Sequence, residues 1–97
     1  MAVPMDAILN ITLGLIQEAY QIYEAAKAVP TVIDKAKSDL QQLKISTQFL
    51  KRKAEDANSV VARSEEIRQG IKEMYSDLNK PFETLITWMK KLPGNLA

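Results

Sequence analysis

The sequence predicts an all-α domain, a compact bundle of about four helices, from three observations. Apolar residues recur at alternating steps of three and four along nearly the whole chain, the spacing of helix faces rather than of strands. Neither Gly nor Pro occurs between Thr31 and Gln69, so nothing obliges that stretch to turn. Apolar residues make up 46% and charged residues 26% of the 97, a composition that folds around a core and is unlike a disordered chain. A chain this long buries roughly 60–65% of its unfolded surface, enough for one domain over residues 1–97.

The first helix, expected near 6–29, is the most apolar part of the chain. Two apolar rows run along it: Ile8, Ile11, Leu15, Ala19, Ile22 and Ala26, and beside them Leu9, Leu13, Ile16, Tyr20 and Tyr23. A surface helix needs only one row. Water keeps a strip of Asn10, Gly14, Gln17, Gln21 and Glu24, so this helix is central in the bundle or leaves it for a membrane. Asp6 is placed to cap its start, and Pro30 disfavours helix in the residue before it. Gly14 is either tolerated on the polar strip or lets a neighbouring helix approach closely.

Thr31, with Asp34 three residues later, imitates a capping box and opens a second helix near 31–56. Its seam is Ile33, Ala36, Leu40, Leu43, Thr47, Leu50, Ala54 and Ala57, a heptad-like row. Consecutive steps of three at Ala54, Ala57 and Val60 then shift its phase, which marks a break. A third helix is expected over 59–78, with Val60, Ser64, Ile67, Ile71, Met74 and Leu78 on its seam. The alternative is one unbroken rod over 31–78, on the order of 70 Å long. Asn79-Lys80-Pro81 predicts a stop, with Pro81 opening a last helix over 81–92. Its apolar face is Phe82, Leu85, Ile86, Met89 and Leu92, with Trp88 at the edge.

Little in the sequence suggests catalysis. With 0 Cys and 0 His, most zinc sites and the common nucleophile systems are absent, and no cofactor or small-molecule substrate is expected. Adjacent acids such as Glu65 and Glu66 point about 100° apart on a helix and do not converge. The net charge is +1, and the cluster Lys51-Arg52-Lys53 is followed at once by Glu55 and Asp56, so nucleic acid is not an expected partner. Asp6, Glu18 and Glu24 argue against a signal peptide, and the absence of Cys favours an intracellular site, so the chain is expected in the cytoplasm, with recruitment to membrane as an option.

Two surfaces are candidates for function. The segment Phe82 to Leu92, with Trp88, Lys90 and Lys91, has the composition of a helix that lies in a membrane surface, and equally of an amphipathic helix that closes a bundle. Leu40, Leu43, Leu50, Val60, Ile67, Ile71 and Met74 form an interaction seam for a second copy or another helical protein. The N-terminal half, through its opening Met1-Ala2-Val3-Pro4-Met5, the apolar helix with Gly14, the stretch Ala19 to Lys27, the turn at Pro30 and Asp39-Leu40-Gln41-Gln42-Leu43, resembles the HeLo-like and SesA-like N-terminal domains of fungal STAND immune receptors. That resemblance implies a helical signalling or cell-death effector that self-associates and is recruited to membrane, releasing its first helix, with Ile8, Leu9, Ile11, Leu13, Leu15 and Ile16 as the inserting residues. The sequence departs from a full receptor in having no P-loop. The other expectation, from the seam alone, is an adaptor bundle indifferent to lipid.

Overall fold

Residues 4–26 and 30–91 are described by the computed structural model, and they form four helices: α1 (Met5–Ala25), α2 (Pro30–Glu55), α3 (Val60–Arg63) and α4 (Glu65–Lys91). The all-helical bundle expected from the spacing is what the chain adopts; among the described residues there is no strand.

The start of α1 is not capped by Asp6. Pro4 stands before it in extended geometry (φ −62°, ψ 149°), and its carbonyl accepts the Ile8 N–H at 3.2 Å. Asp6 instead lies in the first turn, where a negative charge faces the positive end of the helix dipole. The helix ends at Ala25, before the expected Val29. Ala26 turns extended (ψ 144°) and donates its N–H to the Tyr23 carbonyl at 3.2 Å. Residues 27–29 lie outside the described residues. Pro30 is the first residue of α2, a position its fixed φ and missing N–H suit, so Thr31 lies inside the first turn and is not a cap.

The break after Glu55 falls where the seam changes phase, and it excludes the unbroken rod. Local side-chain hydrogen bonds replace the helical ones there. Asp56 Oδ1 accepts the Asn58 N–H at 3.0 Å. Ser59 caps α3 by accepting the Ala62 N–H at 3.1 Å, while its hydroxyl donates to the Lys53 carbonyl. Ser64, expected on a seam, accepts the Ile67 N–H at 3.2 Å and so starts α4. Arg68 ties the corner by donating to the Ala62 carbonyl at 2.8 Å.

From Glu65 the chain is helical without a stop to Lys91, and Pro81 is inside α4. The expected boundary at Asn79-Lys80-Pro81, and with it separate helices over 59–78 and 81–92, is therefore corrected. An interior proline removes one backbone hydrogen bond and crowds the preceding turn, about 3 kcal/mol of cost in an isolated helix. The helix survives it because the residues on both sides of Pro81 bury against the same partner. Tyr75 lies in one core cluster and Ile86 and Met89 in another, all packed on α1.

The three long helices run up, down and up. Leu50 packs near Leu9, and Leu40 near Ala19, so α2 is antiparallel to α1. Asn79 meets Thr12 and Lys90 meets Glu18, so α4 is parallel to α1. Both α2 and α4 lie on α1, and their own backbones come nowhere within 8 Å of each other among the described residues. The result is a thin layer, 46 × 27 × 14 Å, with α1 in the middle. A helix flanked on two sides needs two apolar rows, which is what α1 carries.

Polar side chains divide the core. Met5, Ile8, Leu9 and Tyr75 form one apolar cluster, joined by Leu50, Ala54 and Ile71. Leu15, Ala19, Ile86 and Met89 form the other, joined by Leu40 and Phe82. Between them sit the buried polar residues Thr12, Thr47 and Asn79. Thr12 Oγ1 lies 2.6 Å from Asn79 Oδ1 and 3.1 Å from the Ile8 carbonyl. Having one proton, the hydroxyl donates along the shorter contact. Asn79 Nδ2 donates to the same Ile8 carbonyl at 3.3 Å. Thr47 Oγ1 donates to the Tyr75 hydroxyl at 3.1 Å, a link from α2 to α4 across α1.

Candidate interaction surface

The residues singled out for membrane insertion separate into two groups. Ile8, Leu9, Leu15 and Ile16 are buried, Leu9 completely, and Leu13 is half-buried. Ile11 alone of that helix is largely exposed, on the side of α1 that faces Lys72, Glu73 and Lys80 across a groove of 630 Å³. Trp88 is 58% exposed. Lys90 donates to Glu18 Oε1 at 2.8 Å, and Lys91 is exposed in the last turn of α4. The structure therefore does not bring these side chains together as one surface. Those of α1 other than Ile11 face the core, and those of α4 are outside.

The interaction seam also divides. Leu40, Leu50 and Ile71 pack against the two core clusters and so serve the fold. Leu43 is half-buried and lines a shallow groove of 250 Å³ between α2 and α4, together with Leu40, Phe82, Leu85 and Met89. Val60, Ile67 and Met74 are exposed. The correction is physical: the row from Ile33 to Ala54 faces α1 within its own chain, so it is not free for a partner helix.

What remains outside is a row on α4 that the proline boundary concealed. Ile67, Met74, Pro81 and Trp88 are each seven residues apart on one continuous helix, and all four are exposed. Ile67 is 39% and Met74 58% exposed. Seven residues is two turns of helix less about 20°, so the four lie along one edge with only a slow drift. Leu85 adds apolar surface beside the row. Glu66, Glu73 and Lys80, which also repeat at seven, lie about 100° further round the helix, where Glu73 and Lys80 face Ile11 of α1 across the groove. The core-facing side of α4 has the complementary pattern Tyr75, Asn79, Phe82, Ile86 and Met89, buried or half-buried at steps of four and three. Those steps run straight through Pro81 and were the signal in the sequence for an unbroken helix and a buried Asn79.

On α2 a smaller outward pair, Ile45 and Phe49, is exposed, with Lys53 Nζ 5.4 Å from the Phe49 ring centre. Lys37 Nζ stands 5.1 Å from the Tyr20 ring centre, between α2 and α1. Such cation–ring contacts hold long side chains across a helix or between helices but define no site. Gly14 is open: a Cβ there would meet nothing within 4 Å. It is a tolerated residue of the polar strip and admits no close helix approach. Among the described residues no three acidic side chains gather to hold a metal ion, and no helix is long and apolar enough to cross a membrane. No family model, curated protein or solved structure matches this chain.

Proposed function

We infer that the chain is a non-enzymatic helical signalling domain that acts by self-association while folded, through the outer edge of α4. The carrying observation is the exposed row Ile67, Met74, Pro81 and Trp88 on a helix whose other face is already committed to α1. Large exposed apolar side chains aligned on one helix mark association surfaces more often than scattered ones do. Release of α1 into a membrane is the less favoured route. Extracting Ile8, Leu9, Leu15 and Ile16 breaks both core clusters and the Thr12–Asn79 contact, and leaves to water the apolar faces of α2 and α4 that rest on α1. Freeing α1 amounts to unfolding, and α1 is also what α2 and α4 both rest on.

One observation favours a second reading, membrane engagement without unfolding. Trp88 and Leu85 are exposed at the end of α4 that also carries Lys90 and Lys91, a pairing of an aromatic anchor with basic residues suited to an anionic lipid surface.

Molar mass by light scattering over a concentration series, beside dye release and tryptophan emission with neutral and anionic vesicles, tests both. Trp88 is the sole tryptophan, so its emission reports on this surface alone. Folded association predicts mass rising with concentration, Trp88 emission moving to shorter wavelength with it, and intact vesicles. A chain that stays monomeric and leaks dye from vesicles would overturn the inference in favour of a membrane effector.

A further inference from the structure

We propose that the outward face of α2 docks on an anionic lipid surface, with Ile45 and Phe49 entering the interface and Arg52 and Lys53 on either side of them. This face belongs to a different helix from the associating edge of α4 and does not depend on it.

Charge selects the partner. Between Leu40 and Ala54 stand Lys44, Lys51, Arg52 and Lys53, and no acid. The chain's net charge of +1, from 13 basic and 12 acidic residues, is therefore +4 in that stretch and −3 in the rest. A nearly neutral total conceals a local basic patch. The ion pairs among the described residues, Lys35 with Asp39, Arg68 with Glu65 and Lys90 with Glu18, use none of the four. Of the two acids that follow, Glu55 lies about 120° round the helix from Phe49. Asp56, past the end of the helix, accepts the Asn58 N–H at 3.0 Å.

Placement selects the kind of surface. Ile45 is 62% and Phe49 50% exposed, one turn apart on the side of α2 away from Leu40, Thr47 and Leu50, which pack inward. Arg52 and Lys53 follow Phe49 by three and four residues, about 60° to one side and about 40° to the other. Ser38 and Gln42, which share this face, are uncharged. A basic last turn alone is explained by the negative end of the helix dipole. Two large apolar side chains left in water just before it are not. Apolar side chains at headgroup depth, with basic ones beside them, are the composition of a helix lying in an anionic interface. Lys53 Nζ stands 5.4 Å from the Phe49 ring centre, so its stem covers the ring while its charge stays at the level of the headgroups.

The experiment is co-sedimentation of the full chain, at low salt, with vesicles of phosphatidylcholine alone and with about one-third phosphatidylserine added. Binding to the anionic vesicles only, without leakage of trapped dye, is expected. Raising the salt until the Debye length falls from about 10 Å to about 3 Å is expected to weaken it roughly tenfold. Arg52→Gln with Lys53→Gln, and Phe49→Gln in a separate chain, are each expected to weaken it several-fold, with helix content checked by circular dichroism.

Tryptophan placement locates the contact. In a chain carrying Phe49→Trp and Trp88→Phe, anionic vesicles brominated on their acyl chains are expected to quench the emission. They are expected to leave the original chain, whose sole tryptophan is Trp88, unquenched. Quenching of Trp88, with binding unchanged by the α2 substitutions, would overturn the proposal and put the end of α4 on the membrane. Absence of binding to anionic vesicles at low salt would also overturn it and leave self-association, read from molar mass without lipid, untouched. Binding to a short DNA duplex as tight as to anionic vesicles, and indifferent to Phe49→Gln, would overturn it in favour of a nucleic-acid site.

Discussion

Thr12→Val tests whether the polar layer, rather than apolar packing alone, holds α1 to α4. Thr12 is fully buried, and valine has its shape. If only apolar burial mattered, exchanging a buried hydroxyl for a methyl would raise stability, by about 0.8 kcal/mol on the usual scale for a buried carbon. The observed hydrogen bonds predict the opposite sign. Valine removes the donor 2.6 Å from Asn79 Oδ1, and a buried acceptor left without a partner costs roughly 1–3 kcal/mol. Asn79 Nδ2 still donates to the Ile8 carbonyl, so the side chain is held in place and cannot turn away to find water. For a domain of this length each kcal/mol lowers the midpoint of thermal unfolding by roughly 4–8 °C. Urea unfolding at low protein concentration, with the slope checked for constancy, measures the loss directly. Asn79→Leu in the Thr12→Val background then removes the orphaned acceptor and is expected to recover at least half of the loss, a coupling that contact between the two residues requires. A Thr12→Val chain as stable as the original, or a pair whose effects simply add, would refute the argument.

The remaining predictions concern the helices themselves. Pro81→Ala is expected to stabilise the chain by about 1–3 kcal/mol in thermal melts, since alanine restores an N–H toward the Asp77 carbonyl inside α4; a neutral or negative effect would place Pro81 at a helix start instead. Gly14→Ala is expected to gain roughly 0.5–1 kcal/mol by the same measurement, because the added methyl meets nothing within 4 Å and glycine is the poorer helix former. Destabilisation there would mean that another helix comes close to Gly14. Ser59→Ala should cost about 0.5–2 kcal/mol through loss of the cap on Ala62, seen as faster hydrogen exchange confined to α3 and the start of α4.

The sequence and the fold agree where a single local force decides. The two apolar rows of α1 required neighbours on both sides, and α2 and α4 supply them. The change of phase between Ala54 and Val60 required a break, and Asp56, Asn58 and Ser59 supply the hydrogen bonds that make one. The residues assigned to water on α1, from Asn10 to Glu24, are exposed or lie at its margin. Agreement fails where a local rule and a tertiary one oppose each other. Pro81 and Asn79 both speak for a helix end when read against their neighbours alone. The competing information lies in the steps Tyr75, Asn79, Phe82, Ile86 and Met89, which share a face only if the helix continues. Burying that face on α1 outweighs the single hydrogen bond that Pro81 removes.

The same conflict decides which surface is left over. With a stop at Asn79, the residues before and after it belong to separate helices of unrelated direction, so Met74 and Trp88 have no common face. With α4 unbroken, they share a face. The buried row and the exposed row are then consequences of one fact, the continuity of the backbone at Pro81. α1 has no comparable second face to offer. Both its rows are consumed by α2 and α4, so any partner acting on the folded domain reaches α1 only through the narrow polar strip or the edge at Ile11. A helix that is apolar on two sides looks in the sequence like the active element of the domain. In the folded chain most of its apolar surface is buried, while the amphipathic helix beside it has one face buried and an apolar edge exposed.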